Sequence, residues 1–429
     1  MDKSKIAGIA IFLMILFSIA SAVTPLVSPL ASAGFAWLAF FLLLQRLPRA
    51  MMVQVSAMVS IGLLALAVSK VSMDITLVTR LFSANHSLIT VIAAVGFLRL
   101  VTQPAKVANE QLPVGRMAVT RTIWGLHLFS SVITLSAMMI FGGRIEKEAA
   151  LSRIHAITFS RTFACGCFWS PFYVSIATAL LYAPGSELLT LALAGVPVAL
   201  FGLAFTSWEV TRDGEIENTP GYPVHIDALY VPLALSVLMI GTHMVFPEFP
   251  VLSLISIISL GLTAALLVAK EKNTSMGKLR EYVVNELPRM NRELSLFLGA
   301  GIMSTGIMVF LGSNYVSVEL PVFTPAVGAA FITIAIALSI VGVHPIITIS
   351  AIGSLLAASD YSPNLLGLCM MMMWGLAIVV SPLSGVNLTI QGRFGFSGIA
   401  MMRWNAGYTL AMLLFCTVLL YFYSLAGLL

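Results

Sequence analysis

Charge is what this chain has least of. In 429 residues it holds 23 basic and 18 acidic side chains, where a soluble chain of this length carries on the order of a hundred charged residues. So few charges cannot cover a water-facing surface, which excludes a soluble protein. Cysteine is scarce as well. Cys165, Cys167, Cys369 and Cys416 all stand in apolar context, which excludes a disulfide scaffold and marks them as packed thiols. The short alternating segments of a membrane β-barrel, about ten residues each, are missing. No Gly-x-x-x-x-Gly-Lys-Ser/Thr loop occurs, so a nucleotide-driven pump in one chain is not expected. Neither His-Glu-x-x-His nor Gly-x-Ser-x-Gly is present, which leaves a metal- or serine-dependent hydrolase without its usual residues. The net charge of +5 falls between apolar runs, where basic residues set topology and do not form a nucleic-acid surface.

What is present is apolar. Hydrophobic residues make up 59% of the chain and the mean hydropathy is +1.00. Spans of about 20 residues each would number roughly 10–12. The expected class is an all-α polytopic membrane protein, embedded in the lipid bilayer of the cytoplasmic membrane. Ile6 to Ser21 follows Lys3 and Lys5 and reads as a retained first helix. Further on, runs at 118–142, 162–184, 324–358 and 361–392 are candidate helices. The last two are too long to be simple spans, and Pro345 and Pro382 interrupt them. The polar stretch 209–226 separates a first repeat, 1–208, from a second, 227–429. Residues 270–293 are rich in Lys and Arg and belong in the cytoplasm. Residues 144–158 mix charges with Ile145, Leu151, Ile154 and Ile157, a pattern that suits a short interfacial helix.

The halves echo one another. Gly-x-His with a following Ile-Thr-x-Ser-Ala core occurs at Gly125 and again at Gly342, placing His127 against His344 and Ser136 against Ser350. Further on, CGCFWSPFYVSIAT carries Ser170, Pro171, Ser175 and Thr178. AIVVSPLSGVNLTIQG carries Ser381, Pro382, Ser384, Gly385, Asn387 and Thr389. The three features recur in the same order at offsets of 217, 214 and 211 residues. Proline inside an apolar run leaves carbonyls unpaired in a medium that cannot solvate them. Two such breaks in corresponding places point to a binding site at the bilayer midplane. Helices resuming after them, near 160–185 and 361–395, would aim their N-terminal N–H groups at an anion. Hydroxyl, amide and backbone oxygens could hold Na⁺ there without formal charge. No other metal and no organic cofactor is expected. Arg161 and Arg393 flank the breaks and could pair with a carboxylate. His127 and His344, as ionisable groups in apolar runs, are candidates for a proton or anion role.

The segments Pro-Leu-Ser-Gly-Val-Asn-Leu-Thr at 382–389 and Gly-Val-His-Pro-Ile-Ile at 342–347, with the two-half layout, resemble the ion transporter superfamily. These secondary transporters include divalent-anion/Na⁺ symporters and the large membrane subunits of tripartite dicarboxylate carriers. The resemblance implies two inverted repeats, each with scaffold helices and a re-entrant hairpin or broken helix. It also implies a transport domain that moves against its scaffold as an elevator, in a homodimer. On the matching positions it implies that Ser381, Ser384, Asn387 and Thr389, with Ser170, Ser175 and Thr178, hold carboxylate and Na⁺. The symporters' Ser-Asn-Thr tip triplet is absent from both halves. The expected function is secondary active transport of a small organic anion, coupled to Na⁺ or H⁺. The alternatives are a membrane-embedded enzyme and a channel or accessory membrane subunit.

Overall fold

A computed structural model of the chain describes residues 2–101, 111–224, 230–271, 274–313, 322–357 and 359–429. Residues 225–226 of the polar connector, and 358 at the end of one apolar run, lie outside them. Among the described residues the regular structure is helical apart from one isolated bridge between Val114 and Pro220. In lipid every backbone N–H and C=O must be satisfied internally, and a helix does this within one segment.

The order is α1 (Lys3–Val23), α2 (Pro29–Leu43), α3 (Arg49–Ser69), α4 (Ile75–Ser83), α5 (His86–Gly96), α6 (Arg116–Ile133), α7 (Leu135–Glu146), α8 (Arg153–Gly166), α9 (Val174–Tyr182) and α10 (Leu188–Val210). Then come α11 (Tyr230–Val245), α12 (Val251–Glu271), α13 (Ser275–Glu281), α14 (Asn291–Leu311), α15 (Pro325–Ile340), α16 (Pro345–Leu356), α17 (Pro363–Val380), α18 (Gly385–Phe394) and α19 (Gly398–Leu425). Nine stretches among the described residues are long and apolar enough to cross a membrane. This is a multi-pass membrane protein of the all-α class.

The chain forms two compact units, each drawn from both halves of the sequence. Unit one comprises Met1–Val101, Gly241–Val322 and Ile346–Asp360. Its closest helix pair is α3 with α14. A Cβ built on Gly306 would lie 2.1 Å from the Gly62 carbonyl oxygen, so glycine is what lets these two backbones meet. Near their crossing, the buried hydroxyls of Ser304 and Ser354 share a 2.7 Å hydrogen bond.

Unit two comprises Thr102–Ile240, Phe323–Pro345 and Tyr361–Leu429. Here α8 packs on α6 and on α10, and α6 touches α10. Likewise α17 packs on α15 and on α19, and α15 touches α19. The helix starts explain the parallel. The series α6 to α10 begins at 116, 135, 153, 174 and 188, and the series α15 to α19 at 325, 345, 363, 385 and 398, a displacement of 209–211 residues throughout. The Ser-Pro echo, at 211, belongs to this register. The Gly-x-His echo does not: His127 lies inside α6, whereas His344 lies in the link before α16. At the centre of unit two, every residue of α17 from Leu365 to Val380 is buried.

Several long runs are divided where the sequence suggested one element. The 118–142 run breaks at Thr134, which has a positive φ of 50°. The 324–358 run breaks before Pro345, with Gly342 at φ 96°, in the corresponding link. Residues 144–158 do not form one interfacial helix. They contain the end of α7, a turn, and the start of α8, because Ser152 and His155 form a capping box that starts a new helix there.

Candidate functional site

Both Ser-Pro breaks interrupt helices, at 167–173 between α8 and α9 and at 381–384 between α17 and α18. Their local geometry matches. In the first, the Ser170 Oγ accepts from the Phe172 N–H at 3.2 Å. In the second, the Ser381 Oγ accepts from the Leu383 N–H at 3.3 Å. Each serine thus turns the chain by capping the donor that follows its proline.

The carbonyls that each proline strands are met by a side chain from the resuming helix. Ser175 donates its hydroxyl to the Cys167 carbonyl at 2.6 Å. The Asn387 Nδ2 donates to the carbonyls of Ile378 (3.3 Å), Val379 (3.0 Å) and Ser381 (2.8 Å), and its Oδ1 accepts from the Ser160 hydroxyl at 3.1 Å. Asn387 therefore commits its whole amide to the protein. Ser170 also donates to the Ser131 carbonyl of α6. Ser384 caps α18 by accepting from the Asn387 N–H at 3.3 Å, and Thr389 bonds back to the Gly385 carbonyl at 2.7 Å.

The two resuming helices differ at their N-termini. The tip of the second break is exposed at Leu383 and Gly385, and a Cβ on Gly385 would meet nothing within 4 Å. The start of α9 is enclosed: Ser175 and Ile176 are buried and Val174 is half-buried. No side chain caps α9, and the N–H groups of Val174, Ser175 and Ile176 have no partner among the described residues. On the same helix the Thr178 hydroxyl is fully buried and lacks a hydrogen-bond partner. Buried orphan donors are rare in folded proteins, and a buried, uncapped helix start calls for a ligand or water.

The ionisable candidates are all engaged. Arg161 is fully buried in α8. Its Nε donates to Asn405 Oδ1 at 2.8 Å, Nη1 to Glu209 at 2.8 Å, and Nη2 to Glu209 at 3.3 Å and to the Trp404 carbonyl at 2.9 Å. The guanidinium also lies 4.6 Å from the centroid of the Tyr408 ring. Arg393 pairs with Glu146 at 2.7 Å. His127 is pinned from both sides. The Trp169 Nε1 donates to its Nε2 at 3.0 Å and its Nδ1 faces the Thr162 carbonyl at 3.2 Å; since the indole only donates, Nδ1 carries the proton. His344 meets Trp374 edge to face, with centroids 5.6 Å apart.

Sequence reasoning singled out the residues of the breaks but passed over Ser160 and Asn405, which bond to the second break at Asn387 and Val379, and Glu209, which pairs with Arg161. A charged Glu209 at the end of an apolar run, and Asn405 inside another, were the available signals. It also passed over His155. The His155 Nδ1 accepts from the Ser152 N–H at 2.9 Å and its Nε2 donates to the Pro220 carbonyl at 2.8 Å, tying the polar connector to the start of α8 beside the exposed Arg153. Burial holds His155 below the ordinary imidazole value, with the Pro220 hydrogen bond pulling the other way. The folded protein thus favours the neutral ring, so its contribution to stability is complete above about pH 6.5 and is lost as pH falls below that value. Thermal unfolding at pH 7.5 and 5.5 should show a loss that is smaller in His155→Gln, which keeps one donor and one acceptor. Equal losses in both proteins would contradict this.

No protein-family model matches the chain, and no curated protein matches it in sequence. Among solved structures, the crystal structure of the Alcanivorax borkumensis YdaH transporter, described as having an unusual topology, is similar over 89% of this chain and 99% of its own, with 12% identity and a TM-score of 0.48. A likeness at that level carries no functional inference.

Proposed function

We propose that the protein is a secondary active transporter that moves a small organic anion, a carboxylate or dicarboxylate, across the cytoplasmic membrane by alternating access, coupled to Na⁺ or H⁺. The observation that carries this reading is the buried, uncapped start of α9, with three unpartnered N–H groups and the orphaned Thr178 hydroxyl. Such a cluster suits an anionic group, because the N–H dipoles converge where the helix dipole is positive. Its counterpart in the second repeat, the exposed start of α18 at Gly385, supplies a further pair of N–H groups. Hydroxyl lone pairs of Ser170 and Ser384, with backbone carbonyls at the breaks, are the oxygen ligands a Na⁺ ion would use. We further propose an elevator working in a homodimer; the assembly of each unit from both halves of the chain suits the first of these.

Uptake into liposomes across a panel of mono- and dicarboxylates, with and without Na⁺ and pH gradients, tests the reading. Saturable uptake that one gradient drives is expected, and silence across the panel would sink it. Within that assay Thr178→Val separates a ligand role from a packing role. Removing an unsatisfied buried hydroxyl should leave stability unchanged or raise it by about 1 kcal/mol, while uptake falls several-fold. A variant with unchanged uptake would place the site elsewhere.

A further inference from the structure

The two breaks are anchored in different ways, although they stand at equivalent places in the two repeats. At the first, α10 lies directly on the chain: a Cβ on Gly195 would sit 1.5 Å from the Phe168 carbonyl oxygen. At the second, the residue in the same register of α19 is Asn405, whose Nδ2 donates to the Val379 carbonyl at 3.2 Å. Gly195 and Asn405 are 210 residues apart, Phe168 and Val379 are 211 apart, and both separations match the repeat. The helix contact of the first repeat is replaced in the second by an amide relay.

That relay closes on α8. The Asn405 Oδ1 accepts from Arg161, and the preceding residue, Ser160, donates to Asn387. Asn387 and Asn405 donate to the same Val379 carbonyl. Two consecutive residues of the first repeat thus grip both amides that hold the second break. Behind Arg161 stands Glu209 of α10, whose carboxylate is 28% exposed and also pairs with Arg153.

We infer that Arg161 and Ser160 are positioning residues for the second break: they fix its backbone, and hence the exposed tip at Gly385, from the opposite repeat, through Asn405 and Asn387. This rests on the reading of the breaks as the transport site. It assigns Arg161 a role that needs no contact with the carried anion, and it makes the geometry of one half of the site depend on α8, which leads into the other half. Asn405 is also the point at which the relay can be cut selectively. Aspartate there keeps the acceptor for Arg161 and loses the donor to Val379.

Hydrogen exchange by mass spectrometry on the full-length protein in detergent tests this without a substrate. Asn405→Asp and Arg161→Lys are expected to speed exchange over residues 383–388 about fivefold, the local opening that loss of one net hydrogen bond allows. Residues 168–178 are expected to stay unchanged, although they lie much closer in sequence to Arg161. Should Arg161→Lys fail to fold, Ser160→Ala removes only the bond to Asn387 and is expected to act on the same residues. Equal acceleration at both breaks would show general loosening and overturn the inference, as would unchanged exchange at 383–388. A shift at 383–388 with silent uptake would sink the transport reading alone, whereas uptake without the shift would sink only the positioning role.

Discussion

Asn387→Asp is expected to abolish uptake and to lower the unfolding temperature more than any other single change at the breaks. The substitution replaces one NH₂ by an oxygen at nearly constant volume. In the native protein that NH₂ faces the carbonyls of Ile378, Val379 and Ser381; Pro382 deprives the first of its helical donor, while Val379 is shared with the Asn405 amide and Ser381 also accepts from the Ser384 N–H. An aspartate would place a carboxylate among them with nothing to donate, in a fully buried position. Leaving the buried Ile378 carbonyl unsatisfied costs about 1–3 kcal/mol, and a buried carboxylate facing carbonyl oxygens adds to that. Asn387→Ser, which keeps one donor, should lie between the two. Unfolding followed by circular dichroism in detergent, alongside uptake, checks the order. An aspartate variant as stable as the parent would mean that the amide does not hold the break.

Gly195→Ala carries the second large effect, and its sign is diagnostic. In the interior of an exposed helix, alanine in place of glycine stabilises by roughly 0.5–1 kcal/mol. Here the new Cβ would overlap the Phe168 carbonyl oxygen, 1.5 Å away. Neither partner is a flexible side-chain end: one is the backbone of α10 and the other the backbone of the first break. Helix and break must move apart, at a cost of about 3 kcal/mol or more. The expected readout is a marked loss of thermal stability with a change in the fluorescence of Trp169, which adjoins Phe168 and bonds to His127. Gly214→Ala is the control, because its Cβ would meet nothing within 4 Å. If Gly195→Ala were neutral, α10 would not be what holds the first break.

How much of this could be read beforehand follows from the range of each interaction. Pro171 and Pro382 announced the breaks, because proline acts on its own backbone and no tertiary contact can restore the missing donor. The division at Thr134 was invisible, since nothing in Val-Ile-Thr-Leu-Ser forbids a continuous helix, although Thr134 takes a positive φ there. The Gly-x-His echo was misleading for a related reason. Two short apolar segments can match by composition while their histidines sit in different elements, and only the helix starts reveal the true displacement.

The sequence by itself determined that this protein lives in a membrane, that it is helical, and that two of its helices fail at Ser-Pro in matching places. Those are consequences of composition and of local backbone chemistry. The tertiary structure alone decided what happens to the polar groups near each failure. Arg161, which as a sequence feature is a free cation beside the first break, is bound through Glu209, Asn405 and the Trp404 carbonyl. Asn387, which as a sequence feature is a ligand, faces the end of the preceding helix and the break that follows it. In a low-dielectric interior a polar side chain takes whichever partner packing brings within about 3 Å, and those of Arg161 stand 48 to 244 residues away along the chain. Packing likewise leaves the start of α9 without a side-chain cap and the buried Thr178 hydroxyl without a partner.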